Sequence, residues 1–122
     1  PNILVFDLRS DWTWEEFHAA VKTGAAMMQN APAPGPVYVI SLAPTAFPPS
    51  HSVISHFKNV VQHLPPNLAL IVVVTDNFLV ETINQIFFKV SPLGRRVGRL
   101  AKTVDNARQI IANHYLRRNP SA

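Results

Sequence analysis

The sequence predicts an α/β domain spanning residues 1–122, with a four-stranded, mostly parallel sheet and about four helices in (βα)4 order. Three observations lead there. Short apolar runs rich in β-branched residues alternate with longer stretches whose apolar residues recur every three or four positions, the two periods of strand and helix. The eleven prolines fall between these segments, where a missing N–H and a fixed φ do least harm. One run, Leu68 to Val74, is apolar without alternation, the pattern of a parallel strand covered on both faces.

The elements follow in order. Ile3 to Leu8 reads as the first strand. Thr13-Trp14-Glu15-Glu16 is a capping box that opens a helix, and Trp14, Phe17, Val21, Ala25 and Met28 form its apolar stripe before Pro32 to Pro36 stop it. Val37 to Leu42 is the second strand. Ser50 is the expected N-cap of a second helix carrying Val53, Ile54, Phe57, Val60, Val61 and Leu64 inward, ended by Pro65-Pro66-Asn67. After the third strand, Leu68 to Val74, Asp76 or Asn77 caps a helix with Leu79, Ile83, Ile86, Phe87 and Val90 expected inward, closed by Pro92 and Gly94. A short strand over Val97 to Ala101 precedes a last helix capped by Thr103, with Val104, Ala107, Ile110 and Ile111 inward and fraying at Arg117 to Pro120. The expected strand order is 2-1-3-4, with the first and third strands inside.

Composition narrows the function. At 122 residues and 48% hydrophobic content, a single domain suffices, and a chain of this size buries roughly two thirds of its unfolded surface. The chain has no cysteine, which excludes thiol catalysis, disulfides, iron–sulfur clusters and sulfur-ligated zinc, and fits a reducing cytoplasm. Leu68 to Val74 is far shorter than the roughly 20 residues of a membrane span. The start at Pro1 leaves room for an upstream segment. Net charge is +4, yet residues 1–88 hold three Lys/Arg against six Asp/Glu, and residues 89–122 hold eight against one. Basic residues concentrate in Gly94 to Lys102 without the interleaved aromatics that stack bases, so no nucleic-acid partner is expected.

In a parallel sheet, chemistry belongs at the carboxyl ends of the strands. Asp7 and Asp76 there could form a carboxylate pair for a divalent ion, although a turn residue and a helix cap are the commoner roles of Asp. Ser50, His51 and Ser52 suggest a hydrolase, but no third, orienting group is evident and no G-x-S-x-G elbow exists. His56 and His63 lie about 10 Å apart along one helix, too far to share a metal. No glycine pattern matches a phosphate loop, and no cofactor or metal is expected. Trp12 reads either as an exposed contact or as a hydrophobic staple beside the Thr13 cap.

With these elements placed, three stretches resemble the STAS family, the anti-sigma factor antagonist-like domains, and within it a divergent bacterial branch. They are Asp11 to Glu16 at the first helix start, Leu64 to Leu68 at a helix-to-strand turn, and Thr103 to Ala107 at the last helix start. The resemblance implies a non-enzymatic regulatory or signalling domain that binds a protein partner. It places the contact or phosphorylation region at Phe47, Ser50, His51 and Ser52. His51 falls where that family carries its phosphorylated serine, Pro49 replaces the preceding aspartate and Ser52 replaces the glycine, so Ser50 and Ser52 are the remaining acceptors. The family's leading strand is missing, which leaves the second strand an expected open edge and a homodimer an expected state. The structural closeness of STAS-like folds to the CRAL-TRIO fold implies, as an alternative, a small-molecule or lipid binder. A metal-dependent enzyme using Asp7 and Asp76 is the remaining alternative.

Overall fold

A computed structural model describes residues 1–31, 35–50 and 52–118. Pro32, Pro34, His51, Asn119 and Pro120, each given a role above, lie outside the described residues. The elements are β1 (Asn2–Asp7), α1 (Trp14–Gln29), β2 (Val37–Leu42), α2 (Val53–Val61), β3 (Leu68–Val74), α3 (Phe78–Val90), α4 (Pro92–Val97), β4 (Gly98–Ala101) and α5 (Val104–Arg118). All four strands are parallel, as expected, but their order is β1-β2-β3-β4 rather than 2-1-3-4. The interior strands are therefore β2 and β3, and β1, not β2, is the open edge beside α1. The physical reason lies in the side chains. Val37, Tyr38, Val39 and Ile40 are all buried, so β2 needs cover on both faces, whereas Val5 of β1 is 50% exposed.

Stepping one strand at a time in one direction, right-handed crossovers leave their helices on one side of the sheet. On that side Met28 of α1, Leu93 and Val97 of α4 and Leu64 after α2 pack on Leu4, Phe6, Val37, Val39, Leu68 and Ile71. Among the described residues, the opposite side is covered by α5 alone. There Ala107 and Ile111 pack on Tyr38, Ile40, Ala69, Leu70, Val72 and Ala101. The Tyr38 hydroxyl and His114 Nδ1 form a 2.9 Å hydrogen bond that ties α5 to β2.

The caps were legible with one displacement. Thr13 and Glu16 form both bonds of the capping box, at 3.1 and 3.0 Å. Trp12 stacks on Phe17 at 5.4 Å, the staple geometry, and its indole N–H donates to the Leu8 carbonyl. Asn77 caps α3 and Thr103 caps α5. Ser52, not Ser50, caps α2, accepting from the Ser55 N–H at 3.1 Å.

Two regions depart further. Pro92 and Gly94 do not merely close α3; they begin α4, with Ser91 as its cap and Pro92 inside its first turn, where a proline's missing donor costs nothing. The extra helix raises the count among the described residues to five. α3 is also rotated relative to the expected stripe. Its inward residues are Val80, Asn84 and Phe87, while Leu79, Ile86 and Val90 are 70, 48 and 57% exposed. The end of α3 is also closely packed. A Cβ on Gly98 would lie 2.5 Å from the Phe88 ring, so only glycine lets β4 approach α3 there.

Candidate functional site

The loops leaving β1 and β2 and the first turns of α1 and α2 meet around Trp14. As the first residue of α1, Trp14 turns its indole toward the proline loop and donates to the Pro48 carbonyl at 3.0 Å. Phe47 stacks on it at 6.0 Å between centroids. The His56 ring of α2 lies flat against it, 3.9 Å away and 3° from parallel. Stacking fixes the plane of His56, and the edges of the ring then have defined partners.

His56 Nδ1 is 2.9 Å from Nε2 of His18, one turn along α1 from Trp14, and His56 Nε2 is 3.0 Å from Ser50 Oγ. The Ser52 N–H donates to the same Ser50 oxygen at 3.2 Å, which leaves that oxygen its own proton and a second lone pair to face His56 Nε2. With the His56 proton on Nδ1 the ring donates to His18 Nε2 and accepts from Ser50; with it on Nε2 both bonds run the other way. Burial lowers the His18 pKa below its ordinary value, reinforced by the positive forms of His56, His63 and Lys22, so His18 favours the neutral ring this chain requires. The result is a hydroxyl–imidazole–imidazole chain.

Below this cluster, between the sheet and the helices α1 to α4, lies an apolar cavity of about 130 Å³. Phe17, Phe57, Val73 and Phe87 are among its lining residues, and Ser41 and Asn84 supply its only polar side chains among the described residues. The Asn84 amide donates to the Val80 carbonyl at 2.9 Å. The remaining wall is hydrocarbon and aromatic carbon, which holds water poorly.

The expected site residues separate. Phe47 is half-buried and lines the cavity, Ser50 joins His56, and Ser52 is a cap; His51 lies outside the described residues. Asp7 and Asp76 do not pair. β2 stands between their strands, and Arg9 holds both Asp7 oxygens at 2.9 and 2.8 Å, lowering its pKa to about 2. His56 is more than the surface residue its spacing suggests. Sequence could have paired Trp14 with His18, which share a helix face, but it offered nothing to join them to His56. In the basic segment, Arg99 donates to the Arg95, Arg96 and Gly98 carbonyls and so caps α4, while Arg95 and Arg96 are exposed.

No helix among the described residues is long and apolar enough to cross a membrane. Fold and site together define a parallel α/β domain with a cavity under its helical layer. No family model, curated protein or solved structure matches the chain.

Proposed function

We propose that this is a binding domain of non-enzymatic, STAS-like type, and that it meets a protein partner through the outer face of α3 rather than through the loop before α2. The observation that carries this reading is the exposure of that face. Phe78, Leu79, Ile86 and Val90 are 78, 70, 48 and 57% exposed, half of the large hydrophobic residues exposed among the described residues. Leu79, Ile83, Ile86 and Val90 recur at spacings of four, three and four, a single stripe of the kind that docks into a partner's groove. Continuous apolar surface of this sort on a folded domain marks an interaction site more often than scattered single residues do. The resemblance carried by Asp11 to Glu16, Leu64 to Leu68 and Thr103 to Ala107 points to the same class of role.

The test is a photo-crosslinking residue placed at Ile86, compared with one at exposed Asn113 on α5, in native extract. The reading expects a discrete adduct from Ile86 alone, lost when Leu79→Glu is added. Matching adducts from both positions would overturn it. Because both changes lie on the exposed face, thermal stability should stay within about 0.5 kcal/mol of the parent.

The cavity favours a second reading, occupancy by a small apolar molecule. Its size decides the class: about 130 Å³ is close to the roughly 150 Å³ that accepts benzene and below the 300 Å³ typical of pockets for larger ligands. A full lipid chain does not fit. A rise in melting temperature with benzene-sized aromatics, absent with long-chain fatty acids, is the expected result.

A further inference from the structure

We infer that Ser50 is an activated hydroxyl nucleophile that accepts an acyl group from a small activated ester or thioester, with His56 as its base and His18 holding His56 in the working tautomer. The site lies away from the outer face of α3 and stands or falls separately from the binding reading. Three features of the geometry support it. The Ser50 oxygen accepts from the Ser52 N–H at 3.2 Å and lies 3.0 Å from His56 Nε2, within reach of proton transfer in the tautomer that carries the His56 proton on Nδ1. His56 Nδ1 meets His18 Nε2 at 2.9 Å, the orienting bond that a base needs on its far side. Trp14 stacks on the His56 ring at 3.9 Å and also anchors the Pro48 carbonyl, so loop and base are held by one side chain. Ser50 is exposed, so an acyl donor reaches it from solvent.

The step is balanced without a further reagent. Ser50 Oγ attacks the carbonyl carbon and forms the new C–O bond while its proton passes to His56 Nε2. The tetrahedral adduct collapses, the bond to the leaving alcohol or thiol breaks, and the His56 proton departs with that group. His18 Nε2 accepts from His56 Nδ1–H throughout and stabilises the transient imidazolium. The product is a stoichiometric ester of Ser50; nothing is oxidised or reduced.

The test uses the whole chain with p-nitrophenyl acetate, following nitrophenolate release, intact mass and peptide mapping. The expected result is one acetyl group per chain at Ser50, absent in Ser50→Ala. His56→Gln should slow the step on the order of 100-fold, the usual contribution of a positioned base. His18 is a positioning residue, so its test is a pair: His18→Gln keeps an acceptor at that place and should stay within about threefold of the parent, whereas His18→Leu removes it and should lose about tenfold. Should His56→Gln fail to fold, the His18 pair decides alone, since it leaves Ser50 and His56 in place. Acetyl groups confined to lysines, or Ser50 acetylation as fast in His18→Leu as in the parent, would overturn the inference.

Discussion

The two faces of the sheet are packed in different ways. On the α5 side, Tyr38, Ile40, Leu70, Val72 and Ile111 are each at most 1% exposed, and Ala107, fully buried, lets the helix come close. On the α1–α4 side the aliphatic contacts of Met28, Val39 and Val97 share the layer with aromatic rings set edge to face, Phe57 against Phe87 at 5.4 Å and Phe47 against Phe57 at 5.7 Å. Aliphatic chains have staggered rotamers that interdigitate to crystal-like density. Rigid aromatic plates prefer tilted contacts and tile a curved space less completely. The cavity of about 130 Å³ is on the aromatic side. One face therefore provides rigidity, while the other has room for a ligand and carries the Ser50–His56–His18 chain.

The largest expected effect breaks the tight face. Ile111→Ala should cost about 2–5 kcal/mol in urea unfolding, because a fully buried side chain leaves a void that its neighbours cannot fill. A cost below 1 kcal/mol would mean that the α5 face is as loosely filled as the other.

Opposite signs are expected for added volume. Val73→Ile, on the cavity wall, should stabilise the fold by about 0.5–2 kcal/mol. Ala107→Val, at the close approach of α5, should destabilise by about 1–3 kcal/mol. Equal and unfavourable effects at both sites would remove the distinction between the faces.

The smallest effect sharpens the comparison electrostatically. His18 is lowered by burial, so the unfolded chain binds its proton more readily than the folded chain does. Its contribution to stability is complete above 6.5, the ordinary value, and is lost as pH falls below it. Thermal melts should therefore show stability declining on acidification through that range, and His18→Gln should flatten the decline. His114, on the α5 face, is lowered for the same first reason, with Arg118, Arg99 and Arg117 adding to it. His114→Gln alone flattening the curve would place the sensitivity on the wrong face.

Much of the fold was legible because its signals are local. The Thr13–Glu16 capping box, the Asn77 and Thr103 caps and the uninterrupted β3 run each depend on residues a few positions apart. The failures occur where local patterns are degenerate. α3 has one broad apolar arc, from Ile86 and Leu79 through Ile83 to Phe87 and Val80, wider than the strip that packs inward, and the polar Asn84 within the buried strip hid which edge of the arc turns to the sheet. β2 is as uniformly buried over Val37 to Ile40 as β3, a signal for an interior strand that the expected order 2-1-3-4 passed over.

The site divides in the same way. Trp12 as a staple was one of two short-range readings the chain offered, and the α2 cap was read two residues early, at Ser50 rather than Ser52, because either serine precedes the same apolar stripe. The Ser50–His56–His18 chain joins two helices, and its His18–His56 bond spans 38 residues that no periodicity connects. Sequence set the periods, the caps and the breaks, because each is decided within a turn or two of backbone. Only the packed structure decided which strands lie inside, which face of α3 meets solvent and which histidines touch, because those choices depend on how whole elements share the surface of one sheet.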